Sequence, residues 1–332
     1  EAEVSDFIDV HGDWSIKDRS QINAPDASTL GRLASHRVFG KPFVVSEYAV
    51  AAPSDYAAEM FPLLIGIAGL QDWDAVFAFA YADQKREYEP NRINGVFDLA
   101  GHPAKLAFLT SAAATFRRAL VAPSQSRVEL SVPQQPSALP YAEDALPSLW
   151  SAQGVSPAAA AIRQLGITLR AGSGEVTAGP GLRVSGVLGS DTGELLWEAH
   201  GSHARFSIDA PALKAVCGWL SSSALEFGGV SFEFQAFAPG FACASLLSLD
   251  DGPIESARRL LFSVSGLAQS AGAGATLAQY VPISVTLPRS AWQAHALDAA
   301  GNPVQPLVVV HAAKSKVATT YAGAALSYAF TR

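Results

Sequence analysis

The sequence predicts an α/β layer followed by an all-β domain, and three observations carry that expectation. Up to about residue 122, short apolar β-runs alternate with helical patterns. Residues 123–165 are rich in proline, and from 166 onward the helical period gives way to many short strands separated by turn signals. The first part reads strand, helix, strand, helix, strand, loop, helix, the order of parallel βα units. Three such units cannot close a sheet, because a barrel needs eight. The region is therefore a small open layer or the C-terminal end of a (β/α)8 barrel, and the abrupt start inside a strand-like segment favours the barrel end. The predicted division is a barrel portion over 1–122 (strands six to eight), a Pro-rich connection with a short helix over 123–165, and an antiparallel β-sandwich over 166–332.

In chain order, Phe7, Ile8 and Val10 supply a strand over 6–14 that breaks at Gly12. His11, Asp13 and Trp14 cluster at its C-terminal end, the end where parallel barrels gather their catalytic groups. A helix follows over 28–39, with Ser28 or Thr29 as N-cap and Leu30, Leu33 and Ala34 on one face. Gly40 ends it. Pro42 is tolerable only at the start of the next strand, Phe43-Val44-Val45, which runs out into Ser46, Glu47 and Tyr48. A carboxylate at the end of an apolar strand either marks a site or serves as a cap or ion pair, since Glu is rarely buried without a partner.

The next helix runs from Ser54 or Asp55 to Leu70, with a kink expected at Pro62. Glu59 and Asp74 are candidates for a structural pairing. The run Ala75–Ala80 ends at Tyr81 and Asp83; the stretch 84–102 is polar and irregular, and Asp83, Arg86 and Glu87 lie in a solvated charged loop past the strand. Leu106, Leu109, Ala113, Phe116 and Leu120 mark a last helix over 103–120. Pro123, Pro133, Pro136, Pro140 and Pro147 make the connection meander, and Ser156-Pro157 with four alanines opens a short helix to about Leu165. Strand-like runs then recur from Ile167–Arg170 to Leu307–His311, punctuated by Asp191-Thr192-Gly193, Asp251-Gly252 and Gly301-Asn302-Pro303.

A chain of 332 residues can hold two sizeable cores, and 49% hydrophobic with 16% charged residues is a globular composition. A net charge of -7 without a lysine or arginine run argues against nucleic acid as a partner. The most apolar helical segment, Met60 to Leu70, falls short of the roughly 20 residues a membrane helix requires, so no membrane partner is expected. No basic region followed by an apolar one marks a signal peptide, and the start at Glu1 reads as a processed or trimmed product. Cys217 and Cys243 each sit in an apolar strand pattern, as buried thiols or as a disulfide, which implies an oxidising compartment. No Cys or His spacing suits a metal, and no cofactor is expected.

Residues 40–48, Gly-Lys-Pro-Phe-Val-Val-Ser-Glu-Tyr, resemble the seventh strand of a clan A glycoside hydrolase, in which the nucleophilic Glu ends the strand. Asp9-Val10-His11-Gly12-Asp13-Trp14 resembles the end of strand six, where family 5 relatives place a His and a nearby Tyr beside the nucleophile. Residues 71–81, Gln-Asp-Trp-Asp-Ala-Val-Phe-Ala-Phe-Ala-Tyr, resemble strand eight with its aromatic floor for the sugar. Residues 190–197 and 248–254 are similar to the accessory sandwich of bacterial enzymes of this type. The resemblance implies a retaining β-glycosidase of polysaccharide degradation, secreted or periplasmic. Glu47 would be the nucleophile; His11, Asp13, Trp14, Tyr48, Trp73 and Tyr81 would bind an oligo- or polysaccharide. Asp13 stands where the family has Tyr.

Retaining hydrolysis uses two carboxyl groups roughly 5–5.5 Å apart, one attacking the anomeric carbon and the other protonating the leaving oxygen. The family's acid/base ends strand four in an Asn-Glu pair, whereas Asn23, Asn91, Asn94 and Asn302 are each followed by another residue. The resemblance therefore places the acid/base upstream of residue 1, on an N-terminal half of the same enzyme held as a separate portion. The alternative is a non-catalytic carbohydrate-binding sandwich carrying a degenerate barrel remnant and holding sugar on surface aromatics; Trp150, Trp197, Trp219 and Trp292 are dispersed, and three of them sit in strand patterns that suggest core.

Overall fold

The computed structural model describes residues 5–82, 92–136, 145–179, 182, 184, 186–272, 274–298, 300–306, 309–310, 315–318 and 325–332. The predicted loop charges Asp83, Arg86 and Glu87 lie outside the described residues, as does part of the last predicted strand at 307–311.

The first strands form at the predicted apolar runs. β1 (Ile8–Trp14), β2 (Phe43–Val50) and β3 (Ala75–Ala78) make a three-stranded sheet in the order β1-β2-β3, and both pairings are parallel. β1 continues through Gly12 rather than breaking there, and β2 extends past Glu47 to Val50. The helices between them are short. Ser28 accepts from the Gly31 amide and caps α1 (Thr29–Ala34), which stops after six residues. A 3-10 turn over 57–59 leads into α2 (Met60–Leu70), and Pro62 sits in the first turn, where its missing N–H has no carbonyl to serve. The expected kink therefore has no cause. α3 (Pro103–Arg117) begins with proline at its first position.

The predicted (β/α)8 portion is corrected by the whole: the structure is mostly β, 40% strand against 19% helix, and among the described residues it lacks the helices such a barrel portion would carry. The physical reason lies in α2. Ten of its eleven residues are buried, so it has no solvent face. One side meets α3, and another packs on a large antiparallel sheet rather than on a barrel wall. Gly66 marks the closeness of that second contact, because a Cβ there would stand 2.6 Å from the Phe206 ring.

The Pro-rich connection also holds regular structure. β4 (Arg127–Pro136) pairs in parallel with β5 (Gln164–Gly174), and β6 (Thr177–Ala178) joins β4 antiparallel. Between them come α4 (Ala145–Ala152) and a 3-10 turn over 157–161, in place of the predicted helix, with Ser156 accepting from the Ala158 amide. Phe39 donates its amide to the Ile167 carbonyl and Ile167 donates to Arg37, so β5 is tied to the segment before β2.

The remaining strands are β7 (Val187–Gly189), β8 (Leu195–Glu198), β9 (Arg205–Ala210), β10 (Leu213–Trp219), β11 (Ala224–Phe227), β12 (Val230–Phe234), β13 (Phe241–Ser248) and β14 (Arg259–Ser265). They continue as β15 (Ala268–Gly272), β16 (Ala275–Ala278), β17 (Ile283–Leu287), β18 (Gln293–Leu297), β19 (Pro303–Pro306), β20 (Val309–Val310), β21 (Ser315–Ala318) and β22 (Ser327–Thr331). Nine form one antiparallel sheet, β19-β18-β22-β14-β13-β10-β9-β8-β7, and five form a second, β11-β12-β17-β21-β20.

The nine-stranded sheet is covered on both faces, which a two-layer sandwich would not allow. In β13, Phe241, Cys243 and Leu247 join a core shared with α2 and the three-stranded sheet. The alternate residues Ala242, Ala244 and Leu246 join a second core with Phe232, Val285 and Phe330. All eight residues of β13 are therefore buried. The first core runs from Trp14 through Trp150 and Phe206 to Ala268, so it crosses both predicted domain boundaries. Cys217 and Cys243 face each other across β10 and β13 and are joined as a disulfide, not held as separate thiols.

Candidate functional site

The site is built on the solvent face of the three-stranded sheet. Ile8 and Val10 of β1 and Val76 and Ala78 of β3 pack against the core, as do Phe43 and Val45 of β2. Alternation then sends Asp9, His11 and Asp13 outward, and all three are exposed. Strict alternation from Val45 would turn Glu47 into the core. A β-bulge prevents it: Val10 pairs with Val45, but His11 pairs with Glu47, leaving Ser46 as an extra residue. Beyond the bulge Glu47 is exposed and Tyr48 is buried. Asp9 holds the bulge from the outer face, its Oδ1 accepting from the Ser46 amide at 3.2 Å. On β3, Phe77 lies between residues registered to Val45 and Tyr48 and is 58% exposed.

The structure brings together Glu47, His11 and Asp13 of the predicted site on one open face, and Tyr81 is 54% exposed beyond the end of β3. It removes three others. Trp14 is 5% exposed and spends its indole N–H on the Arg19 carbonyl. Tyr48 is fully buried, and burial pushes its phenol upward while its oxygen accepts from Gln21. Trp73 packs on Phe43 with ring centroids 5.5 Å apart. These three are core residues and offer no face to a sugar, which corrects their predicted role. Asp74 accepts from the Phe43 amide at 2.8 Å, so it is a β2 anchor and has no pairing with Glu59.

Glu59 belongs to a separate buried network that the sequence reading left without chemistry. It is fully buried, accepts from Ser20 Oγ, and accepts from the Gln21 amide at 2.8 Å. Desolvation outweighs those hydrogen bonds and pushes its carboxyl up to about 8. The network fastens the loop after β1 to the start of α2. Its only sequence signal was a carboxylate in an otherwise apolar segment.

Of the sandwich tryptophans, Trp150, Trp197 and Trp292 are buried, Trp150 donating to Ser35 O and Trp197 to Ile22 O at 2.8 Å. Trp219 stacks edge-on against Phe241. The three buried rings offer no platform for the carbohydrate-binding alternative, whereas Trp219 is only partly buried. Among the described residues no group of His, Cys, Asp and Glu is arranged to hold a metal ion, and no helix is long and apolar enough to cross a membrane. No family model, curated protein or solved structure matches this chain.

Proposed function

We propose that this chain carries the nucleophile side of a retaining glycoside hydrolase acting on a β-linked glycan. The observation that supports it is the Glu47–His11 pair, set opposite each other on an open sheet face by the bulge at Ser46. That pairing joins the two residues that the resemblance to clan A glycosidases singles out. In this reading the Glu47 carboxylate attacks the anomeric carbon, and His11 orients it. Phe77 and Tyr81 offer apolar surface to a pyranose ring. The acid that protonates the leaving oxygen comes from the N-terminal half of the enzyme, a second polypeptide portion docking on this face. Among the described residues β1 and β3 are the outer strands of this sheet. The Cys217–Cys243 disulfide supports a secreted or periplasmic setting.

A substrate whose leaving group needs no proton tests the nucleophile in isolation. With 2,4-dinitrophenyl β-glycosides, Glu47 displaces dinitrophenolate: the C1–O(aryl) bond breaks, the phenolate departs with the electron pair, and an ester forms at Glu47. Intact-mass analysis against the glucoside, galactoside, mannoside and xyloside is expected to show one glycosyl adduct on Glu47, absent in Glu47→Gln. An unlabelled wild type, or labelling that persists in Glu47→Gln, overturns the proposal.

A further inference from the structure

The bulge in β2 leaves a backbone donor without its place in the ladder. Val45 and Tyr48 are both fully buried, with two residues between them where alternation allows one. The spare residue is Ser46, and the extra residue of a bulge goes unpaired by the neighbouring strand. Its N–H is met by a side chain instead: Asp9 Oδ1 accepts it at 3.2 Å. Asp9 registers with Val44, so its carboxylate reaches along β2 toward the bulge. None of the three strands carries a lysine or arginine, so no basic group of the sheet competes for that carboxylate. A charged acceptor also makes a stronger bond than a neutral one.

The buried anchors and the carboxylate do different work. Slipping the strand end back into strict register would bury the Glu47 carboxylate and expose Tyr48, which costs far more than one hydrogen bond is worth. Val45 and Tyr48 therefore choose the face on which Glu47 lies. They leave loose the backbone between them, and Glu47 is the residue next to the bulged amide. Attack on an anomeric carbon is sensitive to that looseness, since a misplacement of about 1 Å can cost on the order of a hundredfold in rate. We infer that Asp9 is a positioning residue: by holding the Ser46 amide, it fixes the backbone from which Glu47 projects toward a sugar. This role rests on the nucleophile reading of Glu47, and Asp9 acts through Ser46 rather than on the substrate.

Two measurements on the full chain test it: saturation kinetics of labelling, with the 2,4-dinitrophenyl β-glycoside that marks wild type fastest, and exchange of the Ser46 amide by ¹⁵N NMR. Asp9 is exposed, so Asp9→Ala should fold. It is expected to lower the limiting labelling rate about tenfold at an unchanged half-saturating concentration. Exchange of the Ser46 amide should quicken about fivefold. Asp9→Asn keeps the acceptor without the charge and should restore most of both. In a Ser46 deletion no spare amide remains, so adding Asp9→Ala there should slow labelling no further. Equal limiting rates per folded molecule in wild type and Asp9→Ala overturn the role, and so does a loss that persists in the Ser46 deletion. Asp9→Asn as slow as Asp9→Ala also overturns it, by assigning the effect to charge. A wild type that no glycoside labels sinks the nucleophile reading and the positioning role with it. A labelled wild type whose Ser46 amide exchanges as fast as in Asp9→Ala sinks the positioning role alone.

Discussion

His11 and Glu47 face each other across adjacent parallel strands, and both lie on the same exposed side because Ser46 is bulged out of the ladder. Deleting Ser46 leaves Val45 followed directly by Glu47, so alternation still sends Glu47 outward and Tyr48 inward. The deletion is expected to remove the bulge, keep Glu47 beside His11 and retain glycosyl labelling. Thermal melts and intact mass together check it. Glu47→Gln should lose only the labelling, because its side chain is exposed.

Glu59 makes stability fall as pH rises. Its folded carboxyl, pushed up to about 8, holds a proton that the unfolded chain releases near 4.5. Its contribution is complete below about 4.5 and drains away toward 8. Glu59→Gln keeps hydrogen-bonding capacity without the charge, and is expected to flatten that slope and exceed wild type at pH 8 by on the order of 1–3 kcal/mol. Denaturant melts from pH 5 to pH 8 measure it; parallel slopes in the two proteins would refute the assignment.

His102 acts in the opposite direction. Its folded value of about 3 lies below the ordinary 6.5, so the unfolded chain binds the proton more readily. Stability from this group is present above 6.5 and is lost as pH falls toward 3. Below 6.5 it therefore opposes the Glu59 slope. His102→Asn should shallow the acid limb of the stability curve and leave the region above pH 7 unchanged in slope.

Gly66 lets α2 lie against β9. Adding a side chain drives it into the Phe206 ring, since even a Cβ would approach to 2.6 Å. Gly66→Val is expected to cost about 1–3 kcal/mol by overpacking, despite the helix-propensity gain over glycine. Phe206→Leu should recover part of that loss when combined with it, although alone it destabilises. A double-mutant cycle in urea reads the coupling.

Arg118 clamps the end of α3 to the turn after β13. Its Nη1 donates to the Ser248 carbonyl at 2.8 Å and its Nη2 to the Asp250 carbonyl, while the Asp251 carboxylate stands 3.6 Å away. Asp251 is solvent-exposed, so the carbonyl bonds matter more than the ion pair. Arg118→Ala should cost about 1–2 kcal/mol, and Asp251→Ala close to nothing. Equal losses in the two variants would assign the clamp to charge instead.

What the sequence by itself determined was local. The apolar runs at 43–45 and 75–80, the helical spacing over 103–120 and the turns at 191–193 and 251–252 each depend on neighbours a few residues away, and each appears in the structure near its predicted place. Glu47 and His11 were legible for the same reason, as polar residues in an apolar strand pattern. Tertiary structure decided where those elements went. α2 became a helix buried on all sides because the nine-stranded sheet took the face that a barrel wall was expected to cover. β4 found β5 across a gap that proline content made look like linker. Trp14, Tyr48 and Trp73 went inward because the other core residues, not their own aromatic character, needed covering. The direction of Glu47 rests on one unpaired residue, and a bulge is a property of two strands meeting, which neither strand encodes alone.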